Sequence, residues 1–148
     1  MTDIIIKYFN DPEDYSRENK FLPPAAPGSI RQAEEDLSIK FPQDYIDFLL
    51  FTNGYEGKLG QSYSRFIQVE KIKEYTEDYG REFLPWIVFI GTDGGNEMYI
   101  IDKRSDKLKF GILPYIGDEN DFILLGDTFE EFVRHLYYND FWGNKNIT

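Results

Sequence analysis

The residues from Trp86 to Asp102 constrain the fold more than any other part of the sequence. Trp86-Ile87-Val88-Phe89-Ile90 is a continuous run of β-branched and aromatic residues, which is typical of a central strand buried on both faces. Thr92-Asp93-Gly94-Gly95-Asn96 supplies a turn, and Met98 to Asp102 form a second run. Two strands joined by a glycine-containing loop predict an antiparallel hairpin. The chain is therefore expected to build a sheet around this hairpin.

Helical periodicity precedes the hairpin. Ile30, Ala33 and Leu37 recur at the spacing of one helix face. We place the start of this helix at Ser29, because Ser29 and Gln32 have the spacing of a capping box. The residues before it, 21–28, contain three prolines and predict an extended arm without regular structure.

A second helix is predicted from Pro42 onward, because proline is well tolerated at the first position of a helix. Tyr45, Phe48 and Leu49 share one face of it, and Gly54 is expected to end it as a left-handed cap. The two helices together predict a helical hairpin.

Shorter elements follow from the same signals. Further strands are predicted at residues 66–69, 109–113 and 122–125, and an exposed helical turn at residues 70–78. Thr128 and Glu131 predict a second capping box at the start of a closing helix. Ile4-Ile5-Ile6 is either a short strand or a segment docked on the domain.

This order of elements predicts the α+β class, with a mainly antiparallel sheet of about four to six strands and helices packed on one side of it. A chain of 148 residues has the length of one domain. We therefore expect a single domain over residues 1–148, with its core at about residues 28–137.

The composition excludes several kinds of chemistry. The chain has no cysteine and one histidine, His135, so thiolate metal sites, a cysteine nucleophile and mechanisms with two imidazoles are ruled out. No G-x-S-x-G nucleophile motif occurs, and His135 has the setting of a structural residue. Paired carboxylates stay open as a possibility, because spatial pairs are invisible in one sequence. We expect a protein that is not an enzyme and that needs no cofactor or metal.

The charge balance bears on the partner. With 27 acidic and 16 basic side chains, the formal net charge is −11. A phosphate backbone needs a basic footprint, so nucleic acid is disfavoured, whereas a cationic protein would be attracted. Solubility alone is the competing explanation of the charge. The start of the chain does not have the pattern of a signal peptide, and no apolar run is long enough to span a membrane. A cytoplasmic protein without membrane contact is expected.

Two groups of residues are candidates for the contact with a partner. Asp118, Glu119 and Asp121 place three acids within four positions, with Tyr115 close by. Asp93 and Glu97, at the tip of the predicted hairpin, are a weaker addition. The competing interpretations are a solvated loop for the first group and ordinary turn chemistry for the second. Phe141 and Trp142 either dock on the domain or stand exposed as an anchor.

The ordered series of these landmarks resembles the SMI1/KNR4 family, also called the SUKH superfamily. The resemblance covers roughly residues 28 to 137. It is carried by the following residues: Ile30-x-x-Ala33-Glu34 with Leu37; Phe41-Pro42-x-x-Tyr45-x-x-Phe48-Leu49; Thr52-Asn53-Gly54; Phe89-Ile90-Gly91-Thr92-Asp93-Gly94-Gly95-Asn96; and Asp127-Thr128-Phe129-Glu130-Glu131-Phe132. Phe41, where the family usually has leucine, and Asn96 depart from its pattern.

What the resemblance implies is binding rather than catalysis. Bacterial single-domain members of the family look like immunity proteins that neutralise polymorphic toxins, often nucleases, and a chain of this size is more similar to them. Fungal members are regulators of cell-wall synthesis and signalling. The expected partner is accordingly a protein, a cationic toxin domain, and the alternative is a housekeeping protein bound by a regulatory or scaffold domain. The family's motifs are mostly structural, so the resemblance carries over no binding residue and no oligomeric state.

Overall fold

The computed structural model describes residues 5–9, 20–80 and 83–141. The helices are α1 (Pro27–Leu37), α2 (Gln43–Phe51), α3 (Ile72–Tyr79) and α4 (Phe129–Tyr138). The strands are β1 (Lys20–Phe21), β2 (Tyr55–Leu59), β3 (Ser62–Phe66), β4 (Ile87–Thr92), β5 (Glu97–Asp102), β6 (Lys109–Pro114) and β7 (Ile123–Gly126). None of the helices in these ranges has the length and apolar character needed to cross a membrane.

The strands form one open antiparallel sheet in the order β1 to β7. The α+β class is confirmed, but the sheet has seven strands, one more than the upper end of the predicted range. The hairpin of β2 and β3 was missed because the buried face of β2 has only two apolar side chains, with Gly57 between them. Phe21 was expected in an irregular arm, but it lies in β1 and pairs with Tyr55 of β2.

The two faces of the sheet are covered differently. Phe89 lies opposite Ile100 and shares its face, so Tyr99, the neighbour of Ile100 in β5, points to the other face. Helices α2 and α4 cover the Tyr99 face, where the Phe132 ring lies 5.4 Å from the Tyr99 ring. Helix α3 runs along β4 on the Phe89 face, where the Tyr75 ring lies 5.3 Å from the Phe89 ring and the Phe89 amide donates a hydrogen bond to Thr76 Oγ1 at 2.9 Å. Helices therefore lie on both faces of the sheet and not on one side alone, because β4 is apolar on both faces and each face needs a cover.

The N-terminal capping of two helices differs from the expectation. Helix α1 begins at Pro27 rather than Ser29, and no side chain caps it; the predicted box of Ser29 and Gln32 is wrong because the fixed φ of Pro27 already suits the first helical position. At α4, Thr128 Oγ1 accepts the Glu131 amide as predicted. The Glu131 carboxylate, however, accepts the Asp127 amide, so the box is displaced by one residue.

The terminal segments dock on the domain where the structure describes them. Residues Ile5–Phe9 form a π-helical turn rather than a strand, and the buried Phe9 ring lies 4.8 Å from the Tyr55 ring and 5.3 Å from the Phe48 ring. Phe141 is buried against the core. Ile4, the residues before Lys20 in the polar stretch and Trp142 lie outside the described ranges.

Candidate functional site

The loop between β6 and β7, residues 115–122, lies against the Phe89 side of the sheet. The Tyr115 ring is 6.3 Å from the Phe89 ring and 5.1 Å from the Tyr79 ring at the end of α3. At the other end of the loop, the Phe122 ring meets the Trp86 ring at 5.6 Å. Two ring contacts therefore join this loop to Tyr79 and to Trp86.

The predicted acids of this loop form a single turn. Glu119–Asp121 is a 3-10 turn, and Asp118 Oδ1 accepts the Asn120 amide at 2.8 Å. Asp121 Oδ2 in return accepts the Asp118 amide at 3.0 Å. Asp118, Glu119 and Asp121 are all exposed. The structure thus brings the three acids together and gives two of them a role in shaping the turn, as the solvated-loop interpretation requires.

Arg104 ties this turn to the sheet. Its guanidinium lies 3.8 Å from the centre of the Trp86 ring, a distance suited to a cation–π contact. It also contacts the Asp102 carboxylate at 2.8 Å and the Glu119 carboxylate at 3.5 Å. The hydrogen bonds that Arg104 donates to the Asp102 carboxylate raise the pKa of Arg104. Sequence reasoning placed Arg104 in a turn and missed this role, because each partner except Asp102 is distant in the sequence.

Exposed apolar side chains border the acidic turn. Ile116 is 98% exposed and Phe83 is 82% exposed. Tyr79, on the segment of Phe83, is also exposed, and Tyr115, next to Ile116, is half-buried with its ring 5.1 Å from the Tyr79 ring. We call the surface formed by Tyr79, Phe83, Tyr115, Ile116 and residues 118–121 the acidic–apolar surface. It combines exposed apolar side chains with a cluster of exposed carboxylates.

The weaker candidates, at the β4–β5 turn, lie differently. Asp93 Oδ1 accepts the amides of Gly95 and Glu97, at 2.8 and 3.2 Å, so Asp93 shapes the turn. The Tyr115 amide donates to the Asn96 carbonyl at 2.9 Å, which places this turn beside the acidic–apolar surface. Glu97 is only 6% exposed and lies on the Tyr99 face, so its burial removes it from the surface that a partner could touch.

Two concave regions are large enough to be compared with sites for small molecules. Glu97, Tyr99 and Ser64 line a cavity of about 130 Å³, in which the Ser64 and Tyr99 hydroxyls are 2.6 Å apart and burial raises the pKa of the Tyr99 phenol. A groove of about 780 Å³ between α1 and the β5–β6 turn carries charges of both signs, such as Lys40 and Glu35.

The acidic side chains and the histidine are the groups that could bind a metal ion. Among the residues that the structure describes, no group of three or more histidine, cysteine, aspartate or glutamate side chains is arranged to hold a metal ion. His135 Nδ1 lies 2.7 Å from Asp140 Oδ1 at the end of α4.

Comparison with known proteins gives two findings. The model of the SMI1 / KNR4 family (SUKH-1) matches residues 24–135. A protein of Bacillus subtilis (strain 168), named as uncharacterized protein YnaB, is 36% identical over 115 residues, which cover 74% of this chain and 74% of that protein. The family match extends over nearly the same residues as the resemblance seen in the sequence.

Proposed function

Because the chain belongs to the SMI1/KNR4 family (SUKH-1), we propose that it is a non-enzymatic binding protein that neutralises a cognate toxin in the cytoplasm by direct contact. The observation that carries the proposal is the acidic–apolar surface. Its exposed apolar residues are suited to a protein interface, since large exposed apolar side chains that lie together often mark binding sites. Its acids are suited to a cationic partner.

Electrostatics favours a toxin that acts on nucleic acid. A nuclease needs a basic surface for its polyanionic substrate, and a chain with a net charge of −11 is attracted to that same surface. Complementary charge raises the association rate. Fast association matters here because an inhibitor must reach the toxin before the toxin reaches its substrate.

Size is compatible with this role. A specific interface needs about 800 Å² from each partner, and the described part of the chain exposes 8484 Å² in all. An interface centred on the acidic–apolar surface would therefore occupy about a tenth of the exposed area, as is usual for small proteins.

The test is rescue of growth. Each polymorphic toxin domain encoded in the source genome is expressed in a sensitive host with and without the chain, and growth is followed. We expect one toxin to be neutralised and to form a stoichiometric complex with the purified chain. Rescue from none of them would contradict the proposal.

Affinity capture from native lysate at low and high salt distinguishes the alternative. A basic protein with nuclease activity, released as salt rises, fits the neutralisation of a toxin. A non-toxic housekeeping protein, held with little dependence on salt, would instead favour a regulatory or scaffold role, for example in the regulation of the cell wall.

A further inference from the structure

The acidic–apolar surface contains the two most exposed large apolar side chains of the described residues, Ile116 and Phe83. A single exposed apolar residue needs no explanation in a folded protein. These two, however, lie on the two segments that the ring contacts of Tyr115 and Phe122 hold together. Ile116 directly follows Tyr115, and Phe83 lies between the two contact points along its own segment.

The support beneath these side chains is well anchored. Tyr115 packs on Tyr79 and Phe89, and its amide is bonded to the Asn96 carbonyl. Arg104 fixes the turn that follows Ile116 through Glu119. A side chain presented on an ordered loop loses less conformational freedom on binding than one on a mobile loop. The backbone that carries Ile116 is therefore anchored on both sides, while the side chain itself is exposed.

The charges around Ile116 and Phe83 indicate which kind of protein would bind there. Asp118, Glu119 and Asp121 follow Ile116, and Glu77 and Asp78 are exposed at the end of α3, on the segment before Phe83. A second copy of the chain would bring another eleven net negative charges and be repelled. A protein with a basic rim around an apolar recess complements both the carboxylates and the side chains that they surround.

We infer that Ile116 and Phe83 are the apolar anchors by which this chain holds a cationic toxin domain, Ile116 entering a recess that the toxin's lysine and arginine side chains border. The inference rests on the proposed function and adds the residues that set the lifetime of the complex. Central, well-packed apolar side chains carry a large part of the energy of an interface. Surrounding charges act mainly on the rate of encounter.

The test uses the purified toxin domain that the wild-type chain neutralises in the growth experiment. Dissociation and association rates are measured for Ile116→Ala, Phe83→Ala and, as a matched control, Tyr138→Ala. Tyr138 is also a large exposed side chain, 59% accessible, but it lies on α4, which covers the other face of the sheet. We expect Ile116→Ala and Phe83→Ala each to raise the dissociation rate about tenfold or more, with little change in the association rate.

The outcomes separate this inference from the proposed function. If the wild-type chain binds the toxin and the two alanine variants dissociate no faster than Tyr138→Ala, the toxin is held elsewhere and the inference is overturned, while the proposed function stands. If the wild-type chain neither neutralises nor binds any of the toxins, the inference and the proposed function both fail. Thermal unfolding of each variant establishes that it is folded, which is expected because the truncated side chains are exposed.

Discussion

At the scale of single residues, Asn53 shows why a motif that marks the family is structural. Its Oδ1 accepts the Val69 amide at 2.9 Å, and its Nδ2 donates to Glu70 Oε1 at 2.7 Å. Gly54 beside it has a φ of 105°, and a Cβ there would lie 2.6 Å from the Phe66 carbonyl oxygen. The motif thus joins the end of α2 to the segment that leads into α3.

Replacing Asn53 tests this role. Asn53→Ala leaves the buried Val69 amide without its acceptor, and an unsatisfied buried donor costs about 1–3 kcal/mol. We expect the free energy of unfolding in urea to fall by that amount. Asn120→Ala, at an exposed position, is the control and should change stability by less than about 0.5 kcal/mol. Equal losses in the two variants would show that Asn53 has no such role.

Glu70 predicts a dependence on pH. Its hydrogen bond from Asn53 lowers its pKa below the ordinary value of 4.5. A carboxyl with a lowered pKa stabilises the fold fully above its unfolded pKa, and that contribution is lost as the pH falls through the folded pKa. Wild type should therefore be more stable than Glu70→Gln at pH 7, and the difference should shrink below pH 4.5. A difference in unfolding free energy that stays constant between pH 7 and pH 3 would contradict this.

At the scale of elements, the loop of residues 115–122 depends on a contact that is distant in sequence. Arg104 follows β5, yet its guanidinium joins the acidic turn to the Trp86 ring. This contact holds the loop against the sheet. It also lets carboxylates face solvent there, because one arginine offsets part of their mutual repulsion.

Removing this link should loosen the loop while leaving the domain folded. In Arg104→Gln, the amides of residues 118–122 are expected to exchange hydrogen faster, and Trp86 fluorescence should shift to the red as the ring becomes exposed. A Trp142→Phe background isolates the Trp86 signal. Lys107→Gln, which removes an exposed lysine paired with Asp127, is the matched control. Unchanged exchange in Arg104→Gln would mean that the ring contacts alone hold the loop.

At the scale of the whole molecule, the position of charge can be separated from its amount. One triple variant removes the three carboxylates of the acidic turn, which changes the net charge from −11 to −8: Asp118→Asn, Glu119→Gln and Asp121→Asn. The amides keep an oxygen that can accept the hydrogen bonds of the turn, whereas charge reversal would break them. A control variant removes three exposed acids outside this surface and has the same net charge of −8: Glu35→Gln, Asp36→Asn and Asp106→Asn.

We expect the two triple variants to differ in their association rates with the toxin domain that the growth experiment identifies. The first should associate about tenfold more slowly at low salt, and the loss should vanish at high salt, because screening removes steering. The second should associate nearly as fast as wild type. Equal slowing of both, measured by stopped flow, would show that overall charge matters and the acidic turn does not.

Local patterns were sufficient for much of the fold. The run from Ile87 to Ile90, the turn after Thr92 and the apolar face with Phe48 were read correctly, because strand and helix periodicity are encoded by neighbouring residues. The same patterns missed β2, whose buried face is only Tyr55, Gly57 and Leu59.

The sequence by itself determined the order of most elements, the α+β class and the family, since each depends on short-range spacing and on side chains that must be buried. Only the tertiary structure decided which exposed residues meet. It placed Glu97 inside and Ile116 outside, and it joined Arg104 to Glu119 across fifteen positions. The physical reason is that a binding surface is assembled by loops packed from distant parts of the chain, and no periodicity records which loops those are.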